Sequence, residues 1–476
     1  MAASFLHGVE VITVDSGSRP VQTVSTGVIG LIGTAPDADP DKFPLNTPVL
    51  IAGSTIEAAY LDTVGTGEGT LPAAVDSILD QIGAVIVVVR VEEGTTPAEQ
   101  TANIIGGVDT TTGQYKGMQA FIGAENIIGI RPRILIAPGF TGTRSVNGIT
   151  GVTATANGSG YTDGTYTLTV TGTGSGAVIT ATVASGAVVP ASIKIVSPGS
   201  GYTSSPTIAL PAGAGAGTGA TFSNTRGTVA NAIVSNMIPI AERLRAVIIA
   251  DAPNTNDADA LQYAADFGSK RVYVVDPQVL KTAADGTLIS SPTSSVVAGL
   301  IAKTDNDFGF WWSPSNQTIN GIEGTSRAVD FTLGDASSRA NLLNAGNVAT
   351  VIRQNGFRLW GNRTCSSDAK WMFLSVVRTA DVINDSLQAS HLWAVDRGIT
   401  KQYVKDVTDS VSAYLRDLTN QGAILGGQCW ADPGLNSPEQ IAQGHVYFDF
   451  DFTPAYPAER ITFRSHLVND YIQSIF

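Results

Sequence analysis

Apolar segments that alternate with amphipathic helical segments restrict the possible folds of this chain more than any other sequence feature. The segment 84–91 reads AVIVVVRV, and 133–138, 245–251 and 271–276 are similar apolar runs. Segments that are apolar on both faces are typical of strands covered on both sides, as in parallel sheets. Helical patterns at 71–83, 229–243 and 257–268 precede three of them. The alternation therefore predicts a layered α/β body with a mainly parallel sheet.

A segment of different composition interrupts this body. Between Ser145 and Thr225 the only charged residues are Asp163 and Lys194, and the rest is rich in Gly, Thr, Ser, Ala and Val. The sequence GSGYT at 158–162 recurs at 199–203, and each copy is followed by a β-rich run and a second glycine turn. Thr, Val and Ile favour strands, so we predict an all-β inserted domain made of two copies of a small unit. It is expected to project from the carboxyl end of the strand at 133–138.

Both ends of the chain resemble strands. Residues 445–452 alternate in polarity, with Val446, Phe448, Phe450 and Phe452 on one face. A second extended run follows at 461–468, and 8–14 is a β-branched run at the amino end. Such ends pair either within their own domain or with a neighbouring subunit by strand addition, and the pattern leaves both possibilities open. The residues expected to form inter-subunit arms are Val9, Val11, Ile12, Val14, Ile461, Phe463 and Leu467.

The carboxyl-terminal part, from about residue 346, contains two predicted helices at 376–393 and 400–420. Between Arg353 and Arg416 there are nine Lys and Arg residues against six Asp and Glu residues, a local charge of +3 in a chain of net charge −13. This contrast indicates either a face turned toward an acidic partner or an ordinary solvated helix surface. The full domain prediction is arms at 1–20 and 461–476, a body at 21–144 and 226–345, an insertion at 145–225, and an α+β C-terminal domain at 346–460.

Composition limits the class of partner. An acidic chain with a pI of about 4.7 argues against nucleic acid or an anionic membrane surface as the main partner. The sequence has neither an apolar run of transmembrane length nor the pattern of a signal peptide, so direct membrane insertion is not expected. Cys365 and Cys429 are the only cysteines, which predicts buried thiols in a reducing cytoplasm instead of a disulfide framework.

Motifs for catalysis or cofactor binding are weak. Gly27, Gly30 and Gly33 suggest a dinucleotide loop, but the spacing is not G-x-G-x-x-G and Pro36 follows where a helix should begin. Asp251 and Asp276 lie at the carboxyl ends of predicted strands, but each precedes a nearby proline and is more typical of a turn. The four histidines have no metal-ligand spacing. We therefore predict no enzyme activity, no catalytic or metal-binding residue and no cofactor.

Several separated motifs together resemble one family. Residues 7–11 (HGVEV) followed by 19–30 (RPVQTVSTGVIG) resemble the amino terminus of contractile tail sheath proteins, which occur in contractile-tailed bacteriophages and R-type pyocins. Residues 355–364 (NGFRLWGNRT) resemble the family's G-x-x-x-W-G-x-R-T segment. Residues 378–383 (RTADVI) resemble the start of its long helix, and 457–460 (PAER) its final turn. The resemblance covers about 5–144 and 226–476, and leaves out the insertion.

This resemblance implies a virion structural protein that is assembled in the cytoplasm of the bacterial host. Such subunits stack as six-fold rings around an inner tail tube and contract to drive the tube through the target envelope. The implied partners are other copies of the chain, the tube protein, and baseplate and tail terminator proteins. The family's C-terminal domain lies nearest the tube, so the basic candidates for contacting it are Arg378, Arg397, Lys401 and Lys405. The alternative is an α/β enzyme whose β insertion binds carbohydrate.

Overall fold

A computed structural model of the chain describes residues 20–283 and 286–471. Its helices are α1 (Thr55–Ala58), α2 (Leu71–Leu79), α3 (Pro97–Ile105), α4 (Ala120–Ile128), α5 (Ala232–Leu244), α6 (Asp257–Ala265), α7 (Thr293–Phe308), α8 (Arg339–Ala345), α9 (Leu374–Ser390), α10 (Lys401–Gln421) and α11 (Pro438–Ala442). Within these described ranges, no helix combines the length and apolarity needed to cross a membrane.

The strands fall into a body set, an insertion set and a C-terminal pair. They are β1 (Ile29–Thr34), β2 (Pro48–Ala52), β3 (Val85–Val91), β4 (Gly107–Val108), β5 (Tyr115–Lys116), β6 (Ile134–Ile136), β7 (Ser145–Ser159), β8 (Gly164–Thr167), β9 (Thr169–Thr171), β10 (Ser175–Ala184), β11 (Ala187–Val188), β12 (Lys194–Ser200), β13 (Thr207–Ala209), β14 (Thr218–Val229), β15 (Val247–Asp251), β16 (Val272–Val275), β17 (Val279–Thr282), β18 (Leu288–Ser291), β19 (Gly324–Thr325), β20 (Val348–Arg353), β21 (Phe357–Trp360), β22 (Ile424–Ala431) and β23 (Phe448–Pro454).

The body is built on an eight-stranded sheet with the order β2-β3-β1-β6-β15-β16-β20-β21. Its central strands from β3 to β20 run parallel, and the two edge strands, β2 and β21, pair antiparallel with their neighbours. Side chains alternate across the sheet as strand geometry requires. In β3, Ile86 and Val88 join the apolar cluster on one face, whereas Val87 and Val89 join the cluster on the other. The predicted α/β body with a mainly parallel sheet is confirmed.

Helices cover both faces of this sheet. Buried residues of α2 and α7 belong to the cluster on the first face, and those of α3, α4, α5, α6 and α8 to the cluster on the second. Helix boundaries follow local chemistry. For example, the Asn231 side chain accepts a hydrogen bond from the Val234 amide at the start of α5, and Gly422 ends α10 in the left-handed conformation. The result is a three-layered body.

Two expectations for the carboxyl-terminal part are wrong. Strands β20 and β21 extend the body sheet, so the boundary predicted at residue 346 falls too early. The pattern at 376–393 places Ala380, Ile383 and Leu387 on one face and so predicts a helix that buries one face, but nearly every residue from Leu374 to Ser386 is buried. A helix that is buried all round lies inside a core and does not form its surface. Helix α9 contributes to the body cluster through Val377 and to the cluster under α10 through Ile383.

The insertion leaves the sheet after β6. Its base is the antiparallel ribbon of β7 and β14, in which Ser145 pairs with Val229. Strands β8, β10, β11 and β12 form one small sheet, and β9 pairs with β13. Its buried apolar residues form a cluster that contains only residues of the insertion. The insertion therefore has its own hydrophobic core.

The two GSGYT copies pack reciprocally. The Tyr161 hydroxyl accepts a hydrogen bond from the Ala220 amide at 3.3 Å, and the Tyr202 hydroxyl accepts one from the Ala177 amide at the same distance. Each ring also lies on a glycine of the other copy's turn. A Cβ at Gly217 would lie 2.4 Å from the Tyr161 ring, and one at Gly174 would lie 2.7 Å from that of Tyr202. Each copy thus closes the turn of the other.

Candidate subunit-joining surface

The C-terminal strands β22 and β23 form an antiparallel pair in which Cys429 lies opposite Phe450. The inward face of β23 is the one predicted from its alternation. Phe448, Phe450 and Phe452 all pack against the apolar cluster formed with α9 and α10. The predicted strand at 445–452 is therefore confirmed in type and facing, although it begins three residues later.

Both outer edges of this pair are open. In the described part of the chain, β22 and β23 are hydrogen-bonded only to each other. Leu425 on β22 is 69% exposed, and the Trp430 side chain on the same strand is also exposed. An open edge with exposed apolar side chains is a template for pairing with another chain.

The segment that follows β23 has the complementary character. Every described residue from Ala458 to Tyr471 is exposed. Phe463 and Leu467 are 92% and 99% exposed, and Ile461 is also exposed. Apolar side chains of this size gain about 1.5–3 kcal/mol each when fully buried. The expected run at 461–468 forms no strand with any other described residue, so pairing within its own domain is not seen in the described part of the chain.

A bidentate ion pair contributes to holding the base of this segment. The Arg363 guanidinium donates two hydrogen bonds to the two carboxylate oxygens of Glu459, both at 2.6 Å. These hydrogen bonds raise the pKa of Arg363. The Tyr456 ring meets the Phe373 ring edge-on, with centroids 6.5 Å apart. Arg363 and Glu459 lie in two separate motifs that resemble the family. Nothing in the sequence indicates that these two motifs contact each other.

The amino-terminal arm candidates Val9, Val11, Ile12 and Val14 lie outside the described residues. The first described residues of the chain lie beside α9. The amide of Gln22 donates to the Ser390 hydroxyl and that of Val24 to the Ser386 hydroxyl, each at 3.1 Å. Val21 and Val24 pack against the apolar cluster under α10. The segment after residue 19 is thus fixed to α9.

The four basic candidates separate into two kinds. Arg378 is buried, and its guanidinium pairs with the buried Asp305 and donates to the Thr26 carbonyl at 3.2 Å. It is therefore a core residue, and the expectation that it faces the tube is wrong. Arg397, Lys401 and Lys405 are exposed around the start of α10, with the Arg397 guanidinium over the Trp393 ring.

A second ionic cluster, which sequence reasoning missed, joins α9 to the body. The buried carboxylate of Asp385 is contacted by Arg133 and Arg245, and by Arg131 at 3.7 Å. Burial, together with the nearby charge of Arg131, lowers the pKa of Arg133 to about 10. One helical turn earlier, Asp381 pairs with the buried Arg271. The available signal was the spacing of two aspartates four residues apart on a helix otherwise rich in apolar residues.

The carboxylates at the ends of the sheet strands are structural. Asp251 accepts hydrogen bonds from the Ser294 amide and hydroxyl, and so caps the start of α7 instead of forming a local turn. Burial raises the pKa of Asp276 to about 7, against the opposing effect of its ion-pair partner Arg327. Among the described residues, no group of three or more His, Cys, Asp or Glu side chains could hold a metal ion.

The insertion offers no stacking surface for sugars in its described residues, which weakens the alternative of a carbohydrate-binding enzyme. Its aromatic side chains, Tyr161, Tyr166, Tyr202 and Phe222, all belong to or pack against the insertion's own core. A cleft does separate the insertion from α5, but the one carboxylate that lines it, Asp266, is already paired with Arg144.

An open-edged strand pair beside an exposed apolar arm is typical of structural subunits that join to other chains by strand addition. Comparison with known proteins gives the family. Residues 26–91 match the N-terminal region of domain III of the tail sheath protein Gp18, residues 228–365 the central domain of phage tail sheath proteins, and residues 366–467 their C-terminal domain. The chain belongs to the phage tail sheath protein family, and it is a structural protein, not an enzyme.

Similar proteins agree along the whole chain. The putative prophage major tail sheath protein of Pseudomonas aeruginosa strain UCBPP-PA14 is 38% identical, with 99% of each chain covered. The tail sheath protein of Escherichia phage P2 is 31% identical over 99% of this chain and 98% of its own. Among solved structures, the sheath of an extracellular contractile injection system (PVC) in its contracted state has the same fold. Its TM-score is 0.60 at 15% identity, with 99% of each chain covered. The contracted helical sheath of the anti-feeding prophage has a TM-score of 0.59 at 16% identity, covering 98% of this chain and 99% of its own.

Proposed function

We propose that this chain polymerises as stacked six-fold rings around an inner tail tube and contracts to drive that tube through a target cell envelope. Its partners are then other copies of itself, the tube protein, and baseplate and tail terminator proteins, in a tail assembled in the bacterial host cytoplasm. The observation that carries the proposal is the combination of the open β22–β23 edges and the exposed arm after Glu459. The contracted-state sheaths that share the fold support contraction as the motion.

Strand addition supplies the link between subunits in this proposal. Each main-chain hydrogen bond that an arm makes with a neighbour contributes a net of about 0.5–1.5 kcal/mol. Burial of Ile461, Phe463 and Leu467 adds about 1.5–3 kcal/mol for each side chain. Ordering the arm costs about 1–2 kcal/mol per residue, so the surplus for one arm is modest. A lattice held by many such arms can stay connected while its bodies rotate.

Removing the carboxyl arm tests the proposal. A chain ended after Pro457 is expected to keep the melting temperature of the full chain, because the described residues that it removes are exposed and the Arg363–Glu459 pair is itself partly exposed. It is expected to lose the ability to form tubes or rings. Phe463→Asp with Leu467→Asp should have the same effect without shortening the chain. Negative-stain microscopy and thermal melting measure the two properties. Tubes formed by a truncated chain that melts normally would contradict strand addition by this arm.

The inner tube is the partner proposed for the basic surface around the start of α10, now represented by Arg397, Lys401 and Lys405. Exposed ion pairs contribute about 0–1 kcal/mol each, so attachment depends on repetition around each ring. Reversing the charge of all three is expected to detach the extended sheath from its tube without changing the melting temperature. Reversal of the exposed Lys194 of the insertion is the matched control. Normal extended tails in the triple variant, seen by electron microscopy, would remove this assignment.

The insertion is proposed to decorate the outer surface and to be dispensable for assembly. Its core is separate from the body clusters, and its chain ends are paired neighbours at Ser145 and Val229. Replacing 145–229 by a short Gly/Ser linker therefore requires no rearrangement of the body sheet, since paired strand residues have Cα atoms only about 5 Å apart. The variant is expected to form tubes or rings as the full chain does. A folded variant that never assembles would assign the insertion to the lattice.

A further inference from the structure

The Arg363–Glu459 ion pair joins the body to the start of the exposed carboxyl-terminal segment. Arg363 lies between β21 and α9, where its backbone forms an isolated bridge with Phe373. The Thr364 amide donates to the Met372 carbonyl at 2.7 Å, and the Leu374 amide donates to the Asn362 carbonyl at 2.8 Å. The guanidinium is therefore presented from a backbone that is held on both sides of the residue.

The residue opposite Arg363 in this bridge also contacts the carboxyl-terminal segment. Phe373, which pairs with Arg363 through the backbone, meets the Tyr456 ring with its side chain. Closer to β23, the Ala455 amide donates to the Ala423 carbonyl at 3.2 Å. The carboxyl-terminal segment is thus attached at residues 455, 456 and 459. Every described residue after Glu459 is exposed. The bidentate pair marks the point at which the arm leaves the subunit.

We propose that Arg363 and Glu459 form an arm clamp, which sets where and in which direction the carboxyl arm departs toward the neighbouring copy. The inference rests on the function proposed above and adds a pair of positioning residues to it. Arg363 suits this role because its planar fork binds a carboxylate in one fixed orientation, whereas a lysine would act as a point charge.

Preorganisation is the physical reason that a clamp matters. Without it the nearest remaining attachment is the Tyr456 ring on Phe373, so the segment between Tyr456 and Glu459 must be ordered each time the arm binds. That added entropy cost weakens every inter-subunit contact that the arm makes. The pair itself is partly exposed, with Arg363 and Glu459 side chains at 29% and 39%, so it adds little to the stability of the folded subunit. Loss of the pair should therefore raise the critical concentration for polymerisation and leave the melting temperature unchanged.

A charge swap tests the clamp. Glu459→Gln and Glu459→Arg are expected to raise the critical concentration for polymerisation by about tenfold, with an unchanged melting temperature. Arg363→Glu should do the same, and the double variant Arg363→Glu/Glu459→Arg should recover most of the loss. Limited proteolysis between Tyr456 and Arg464 should be faster in each single variant. Lys116→Glu, which breaks the exposed pair with Asp109 in the β4–β5 hairpin, is the matched control and should assemble normally.

The outcomes separate this inference from the proposed function. If the chain ended after Pro457 still polymerises, strand addition by the arm fails and the clamp fails with it. If that chain does not polymerise but the Glu459 variants assemble at the original concentration, the clamp alone is wrong. Failure of the double variant to recover, when both single variants are impaired and fold normally, would also overturn it, because the effect would not depend on the pair.

Discussion

Asp385→Ala is expected to lower the free energy of unfolding by about 3–5 kcal/mol, the cost typical of removing one partner from a buried ionic cluster. The Asp385 carboxylate is the shared acceptor for Arg131, Arg133 and Arg245. Without it, the buried Arg133 guanidinium keeps the carbonyl of Leu244 but loses its counter-charge. Three positive charges are then left close together, and α9 loses one of its ionic contacts with the body.

Chemical denaturation followed by circular dichroism measures this loss, and Glu125→Ala provides the control. Glu125 pairs with the same Arg131 at 2.6 Å, but it lies at the surface, where such pairs contribute about 0–1 kcal/mol. Asp385→Asn should fall near the alanine variant, because it keeps the shape and removes the charge. Equal, small effects of Asp385→Ala and Glu125→Ala would show that solvent already screens the cluster.

Arg378→Ala is expected to destabilise the chain by a similar amount, about 3–5 kcal/mol, because it leaves Asp305 charged and buried without its partner. It also removes the donor to the Thr26 carbonyl, so the segment leading into β1 loses an attachment to α9. The double variant Arg378→Met/Asp305→Leu should recover much of the loss, since apolar replacement removes both buried charges.

Arg397→Ala is the control for this prediction, because Arg378 and Arg397 were both predicted to contact the tube. Arg397 is exposed, so its removal should change the free energy of unfolding by less than about 0.5 kcal/mol. The measurement is again denaturant unfolding. If Arg378→Ala and Arg397→Ala have the same free energy of unfolding, then Arg378 does not act as a core residue.

The sequence predicts the body well because its strands are apolar on both faces and therefore conspicuous. The segment 84–91 was assigned correctly as a buried strand, and the helix predicted at 400–420 was found at Lys401–Gln421. Strands β20 and β21 were assigned to the wrong domain for a physical reason. Membership of a sheet edge depends on pairing with a distant strand, and a local pattern contains no information about that pairing.

The errors at the candidate site have the same origin. A charged residue on a helix is expected at the surface, and only its partner changes that expectation. For Arg378 the partner is Asp305, 73 residues away, and for Arg363 it is Glu459, 96 residues away. The alternation in 445–452 needed no distant information, which is why the facing of Phe448, Phe450 and Phe452 was predicted correctly.

The paired ends of the insertion have a consequence for how tails of this kind diversify. Because the chain enters and leaves the body at Ser145 and Val229, which are partners across one ribbon, recombination can exchange everything between them as a single cassette. The cassette must contain both GSGYT copies, because Tyr161 and Tyr202 each close the turn of the other copy. A crossover between the two GSGYT copies would separate Tyr161 from the turn at Gly217 and leave both halves unclosed. The insertion can thus be replaced as a whole, but it cannot be shortened by half.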